Sequence, residues 1–249
     1  IEAFVHGAMC ISYSARCLLS NYLSGRDANK GACAHPCRWK YHLVEETRPG
    51  EYMPIEENER GTYIYNSKDL CMLEHIPDLI DAGVVSLKIE GRMKTPFYVG
   101  TVIKAYRMAI DDYMESPQKY QNHIALYMEE VSKASHRDYT TAFYYGKPDG
   151  NQQVYTNNSY IREYDFIGMV KQDSDACCCA VVEQRNKFSV GETIEVMPAK
   201  GESFAMKVEN MWNEQGEKIL SAPHPQQILK VQFTKPVKKF DMMRKAVSE

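Results

Sequence analysis

Five cysteines carry the densest chemistry of this 249-residue chain: Cys10, Cys17, Cys33, Cys37 and Cys71. The first four lie in one short window, separated by six, fifteen and three residues, and Cys71 follows 33 residues later. Thiolates that converge on one point hold zinc or an iron–sulfur cluster. The intervals match neither the paired C-x2-C knuckles of a zinc ribbon nor the tight run of a bacterial ferredoxin. The competing reading is a set of small buried hydrophobes. The neighbours Gly31, Ala32, His35, Pro36 and Arg38 are not core-like, which favours a metal or cluster. Cys177-Cys178-Cys179 is expected in a strand, where alternating side chains cannot all grip one ion, so packing is its expected role.

A second cluster is Lys88, Glu90, Arg92 and Lys94, at the end of an apolar run. Charges in that position can bind a carboxylate or a phosphate, the alternative being a solvated strand end, and the apolar strand before them favours binding. His6 and His35 flank the cysteines as ligands, proton carriers or hydrogen-bonding groups, with a structural role favoured for both. Lys230, Lys235, Lys238, Lys239, Arg244 and Lys245 make the C-terminal region locally basic, suited either to a phosphate backbone or to plain solvation. The chain has no H-E-x-x-H, no G-x-S-x-G and no G-x-x-x-x-G-K-[ST], so those protease and nucleotide signatures give no support.

The elements that must position these groups follow from period and punctuation. Glu2 to Val5 reads as a strand ending at His6-Gly7. Ser12 or Ser14 caps a helix carrying Cys17, Leu18, Leu19, Tyr22 and Leu23, and residues 24–37 form a loop. Residues 41–46 and 51–56 read as a hairpin, and 62–65 as a strand. Asn66 or Ser67 caps a short helix through Leu70, Cys71 and Leu73. A further helix over Ile76, Leu79 and Ile80 stops at Gly83. Val84 to Ile89 reads as a buried parallel strand. Pro96 opens a long helix, and residues 118–132 a second. Strand and helix alternate here as in βα repeats, but three units are too few to close an eight-stranded barrel. Residues 136–159 read as a linker. Beyond them short strands at 165–170, 176–183, 192–197, 203–210 and 227–233 suggest a small closed barrel.

Composition bounds the class. The chain is 44% hydrophobic and 25% charged with a net charge of −3, an ordinary globular balance without the field of a globally basic nucleic-acid binder. No apolar run is long enough to span a bilayer, and no signal peptide opens the chain. A cytoplasmic location without structural disulfides is therefore expected. A chain that opens directly on a core strand is expected to be the C-terminal portion of something longer.

The motifs together resemble a known family. Residues 2–10 (EAFVHGAMC) with 16–20 (RCLLS) resemble the signature of the collagenase-like peptidases of unassigned catalytic type, peptidase family U32. Residues 29–33 (NKGAC), 37–39 (CRW) and 86–94 (SLKIEGRMK) resemble further blocks, and the β-rich tail resembles the family's C-terminal domain. Ala15 stands where the signature usually carries glycine. The resemblance implies an α/β plus β fold: the C-terminal part of a TIM-like α/β barrel over 1–135, a linker over 136–160, and a small antiparallel β-barrel over 161–249. It also implies a [4Fe–4S] cluster on Cys10, Cys17, Cys33 and Cys71, with Cys37 as the substitute ligand. The activity implied is oxygen-independent hydroxylation of the tRNA wobble uridine to 5-hydroxyuridine, with prephenate as oxygen donor. Lys88, Glu90 and Arg92 would be catalytic at the barrel mouth, and His6 and Arg38 would bind substrate. A collagenase-like peptidase and a non-catalytic RNA-binding module are the competing readings.

Overall fold

The computed structural model describes residues 1–10, 17–39, 67–146 and 160–247, together with 42–43, 47, 49–50 and 53–54. The chain divides into two compact units. One comprises residues 1–95, 105–128 and 136–161, the other 96–104, 129–135 and 162–249.

The first unit is built on strands β1 (Glu2–Ala8), β4 (Asp69–Cys71), β5 (Ser86–Ile89) and β6 (Tyr139–Thr140), in the order β5-β1-β4-β6. β1 runs parallel to β5 and antiparallel to β4, while β4 and β6 are parallel. The sheet is therefore mixed and not the run of parallel strands expected from βα repeats. Strands β2 (His42–Leu43) and β3 (Met53–Pro54) form the centre of the expected hairpin. The expected strand at 62–65, the capping serines Ser12 and Ser14, and the rest of the hairpin lie outside the described residues.

Four helices accompany the sheets: α1 (Leu19–Ser24), α2 (Ile76–Asp81), α3 (Pro96–Glu115) and α4 (Pro117–Ser132). The helix expected through Leu70 and Cys71 is instead β4. Its Asp69, Leu70 and Cys71 are all buried, and its backbone pairs with β1. A short apolar run buried on both faces has no period that separates strand from helix. β5 is less buried than expected, because it is the edge of the described sheet; Val85 just before it is 85% exposed. Gly83, at φ +75°, ends α2 as expected. Within this unit the α3–α4 turn is fastened by Asp112. Its carboxylate accepts hydrogen bonds from Tyr127 Oη at 2.6 Å and faces His123 Nδ1 at 2.8 Å, with Lys119 Nζ at 2.9 Å. Partial burial pushes that carboxyl up, but the hydrogen bonds outweigh it and hold its pKa at about 2. The described part of the expected linker is not a linker. β6 joins the sheet beside β4, and His136 pairs with Ile161 through both backbone hydrogen bonds.

The second unit is a curled antiparallel sheet. Its strands are β7 (Tyr164–Val170), β8 (Cys179–Gln184), β10 (Thr193–Met197), β11 (Phe204–Lys207), β12 (Met211–Trp212), β14 (Ile228–Gln232) and β15 (Met242–Ala246). They lie in the order β11-β10-β15-β7-β8-β14-β12, with a separate ribbon of β9 (Phe188–Ser189) and β13 (Ser221–Ala222). Ile167, Val182, Phe188, Ile194, Val196, Val208, Leu229, Val231 and Met243 fill its core. Every strand expected from the alternation is present, and β15 withdraws Arg244 and Lys245 from the basic C-terminal region. It lies between β10 and β7, and a register shift at Met243/Arg244 lets both of these residues point inward. Arg244 is fully buried and Lys245 pairs with Glu192 at 3.1 Å. The cysteine triplet is also corrected. Only Cys179 is in a strand, whereas Cys177 and Cys178 belong to a turn with Cys178 at φ +56°.

Candidate functional site

The polar centre of the first unit gathers around the C-terminal half of β1. His6 is fully buried, opposite Cys71 of β4. Its ring meets Tyr106 edge-on at 5.6 Å and Tyr139 at 5.5 Å, and Tyr139 in turn stacks on His136 at 4.7 Å. Burial, reinforced by the electrostatic influence of nearby His136 and Lys94, lowers the His6 pKa to about 3. His6 is thus a neutral imidazole in the core, placed to orient its neighbours and not to contact a substrate from solvent. The linkage has a definite sign. The folded-state pKa is below the unfolded 6.5, so the unfolded chain takes up a proton first as pH falls. Stability is expected to drop by about 1.4 kcal/mol per pH unit below pH 6.5, towards pH 3. Urea titrations across that range check it: His6→Asn should flatten the slope.

Tyr106 ties the helix to the sheet. Its hydroxyl donates to the Val5 carbonyl at 2.8 Å and accepts from the Met72 N–H at 3.0 Å. Tyr106→Phe is expected to cost about 1 kcal/mol, measured as a shift in the denaturation midpoint, because the hydroxyl's bonds are lost while the Met72 N–H keeps its own bond to the Val5 carbonyl at 3.0 Å.

The turn after β5 closes over this centre. The Glu90 N–H donates to the His6 carbonyl at 2.9 Å, and its carboxylate accepts from the Arg92 N–H at 2.9 Å. At Gly7 a Cβ would stand 3.0 Å from Glu90, so glycine permits the close approach. The Arg92 side chain lies over Gly31, where a Cβ would come within 2.0 Å of Cδ; Gly31 is also at φ +76°. The sequence-predicted pair Glu90 and Arg92 is therefore brought together, against the loop that carries Cys33. Lys88 is not part of this arrangement; it is exposed on β5. Arg38 lies in a short 3-10 turn, Pro36–Arg38.

Asp69, Arg137 and Tyr160 were not legible as site residues of this centre, whereas Lys94 was singled out with Glu90 and Arg92. Asp69 is buried and accepts from the Arg137 N–H at 3.3 Å. Lys94 Nζ stands 3.8 Å from the centre of the Tyr160 ring, and the Arg137 guanidinium 4.8 Å from it. Two cations on one aromatic ring make a locality that favours a nearby anion. For Arg137 and Tyr160 the sequence signal was the density of His, Arg, Asp and Tyr in and beside the stretch read as a linker.

The cysteines divide. Cys10 is exposed, Cys17, Cys33 and Cys37 are half-buried, and Cys71 is buried. Cys33 Sγ accepts the His35 N–H at 3.3 Å. Burial pushes the Cys71 thiol up to about 11. The donor chemistry suits an iron–sulfur cluster, but among the described residues no three His, Cys, Asp or Glu side chains gather as metal ligands.

Comparison with known proteins gives these observations a context. Residues 1–154 match the profile of Peptidase family U32, and residues 162–244 that of the Peptidase family U32 C-terminal domain. The chain is 38% identical over 245 residues to tRNA hydroxylation protein P1 of Bacillus subtilis, covering 98% of this chain and 58% of that protein. It is 35% identical over 267 residues to tRNA hydroxylation protein P of Escherichia coli, covering 90% and 57% respectively. A collagenase of Porphyromonas gingivalis is 33% identical over 168 residues, covering 68% of this chain and 39% of that protein. The chain thus spans a little over half the length of the two tRNA hydroxylation proteins. No described helix is long and apolar enough to cross a membrane.

Proposed function

The chain belongs to peptidase family U32, and we propose that within it this protein acts in tRNA hydroxylation and not in proteolysis. The observation that carries the proposal is the 38% identity to tRNA hydroxylation protein P1, sustained over 98% of the chain and through both matched segments. The likeness to the collagenase covers less of the chain. The chemistry of the polar centre agrees. A thiol peptidase needs a thiolate beside a base, whereas Cys71, opposite His6, is a buried thiol with a raised pKa. We include in the proposal wobble uridine as the target, a [4Fe–4S] cluster on Cys10, Cys17, Cys33 and Cys71, and prephenate as the dianionic oxygen donor. Arg92 and Lys94, at the turn after β5, are the cations that would receive its carboxylates. A cluster would supply the electron transfer that such chemistry requires when bound. The cytoplasm is where such a protein would meet tRNA.

The test is genetic and analytical. Nucleosides from tRNA of a strain lacking the gene should contain no 5-hydroxyuridine, and the full-length gene product should restore it. Unmodified tRNA in the complemented strain, together with cleavage of denatured collagen by the purified protein, would return the peptidase reading to first place.

A further inference from the structure

The segment 234–241, between β14 and β15, has no part in the polar centre, yet it holds a bulky residue in a costly conformation. Phe240 is at φ +77°, a region that side chains of its size avoid, and the residue is 61% exposed. Such strain persists only where the surroundings over-determine it. Here the buried Asp241 does so. Its carboxylate accepts from the Ala199 N–H at 3.1 Å and the Lys238 N–H at 2.8 Å, while the Asp241 N–H donates to the Lys238 carbonyl at 3.0 Å. The Lys239 N–H donates to Asp173 at 2.8 Å, and the Phe240 N–H to the Val170 carbonyl at 2.8 Å. The turn is rigidly built, and what it displays is one aromatic ring among cations. Lys239 Nζ stands 5.0 Å from the centre of the Phe240 ring, and Lys235 Nζ 5.1 Å from that of Phe204. Lys235, Lys238 and Lys239 are exposed, and none of them joins an ion pair among the described residues.

We propose that this turn is an RNA-contacting element: Phe240 stacks on an unpaired base while Lys235, Lys238 and Lys239 neutralise the flanking phosphates. Every base has a π-face, so a single rigid ring flanked by cations suits a single-stranded stretch of RNA. Charge complementarity favours a polyanion. A lipid surface is less suited, because an interfacial anchor needs a broad apolar face, and Phe240 is the one exposed large hydrophobic residue of this segment. The proposal rests on the tRNA reading for its natural partner and adds the surface that would bind it.

The experiment is fluorescence anisotropy of a labelled, unmodified tRNA titrated with the full-length protein at several salt concentrations. Phe240→Gly is the informative variant, since glycine accepts positive φ and preserves the turn while deleting the ring. It should melt at or above the wild-type temperature and bind RNA about tenfold more weakly. Phe240→Trp should bind as wild type. Lys239→Gln should lower the slope of log affinity against log salt by about one. Wild-type binding by Phe240→Gly and Lys239→Gln together would overturn the proposal and leave the tRNA reading standing. So would loss of binding to phosphatidylserine vesicles with RNA binding unchanged. No binding of tRNA by the wild type overturns the proposal, even if the gene product restores 5-hydroxyuridine. Phe240-dependent binding by a protein that fails to restore 5-hydroxyuridine would keep the surface and reject the hydroxylation reading.

Discussion

Arg244→Met is expected to destabilise the second unit by about 3–5 kcal/mol, read as a lower midpoint in urea. The guanidinium is fully buried. It donates to both carboxylate oxygens of Glu130, at 2.9 and 2.7 Å, and to Glu195 at 2.7 Å. Burial alone would lower the Arg244 pKa, but its bonds to Glu130 and Glu195 reverse the sign and raise it. Methionine fills much of the volume, so the cost comes from two carboxylates left in the interior without the guanidinium, with Lys133 at 3.7 Å from Glu130 and 3.5 Å from Glu195 and Lys104 as a further cation whose charge reaches both. The cause is separable from packing. Adding Glu130→Gln and Glu195→Gln to Arg244→Met should restore a large part of the loss, because the stranded charges are gone. An equal loss with and without the glutamines would show that packing, and not charge, sets the cost.

Cys33→Ser in the full-length protein is expected to lower 5-hydroxyuridine in tRNA by at least about 100-fold, the upper range even for losing a supporting outer-shell group at a metal site. Iron and sulfide, measured after purification without oxygen, should fall with it. Cys10→Ser should behave alike, whereas Cys177→Ser should leave both unchanged, because Cys177 lies in the turn before β8 in the second unit. Cys33 is the most telling position on structural grounds. Its sulfur already accepts a backbone N–H, and its loop is pressed through Gly31 against Arg92. Full iron content with no 5-hydroxyuridine would separate cluster assembly from catalysis; loss of neither would remove these cysteines from the proposal.

How much of this was legible beforehand depends on the range of the interaction concerned. Pro96 at the start of α3, Gly83 at the end of α2 and the alternating strands of the second unit follow from rules that act within a few residues, and they appear where expected. The family was legible for the same reason: its blocks are contiguous runs of residues. β4 was not, since Leu70 and Cys71 in an apolar run satisfy either period, and only pairing with β1 chooses the strand. β6 was hidden in a polar, aromatic stretch that reads as a linker until β4 supplies its partner. Lys88, Glu90 and Arg92 formed one group on paper; the end of the strand and the turn after it separate the exposed lysine from the Glu90–Arg92 hydrogen bond.

The basic C-terminal region shows the division most clearly. Composition alone marks it as cationic, and that is correct, but it cannot say which charges face water. A register shift in β15 turns Arg244 into the core, where Glu130 and Glu195 receive it, while the strained turn before the strand holds Lys238 and Lys239 outside. By itself the sequence determined residue chemistry, helix ends, most strands and family membership, because each is encoded in neighbours along the chain. The tertiary structure decided burial, strand direction and which charges meet, because those depend on residues up to more than a hundred positions apart, and one added residue in a strand reverses the face it presents.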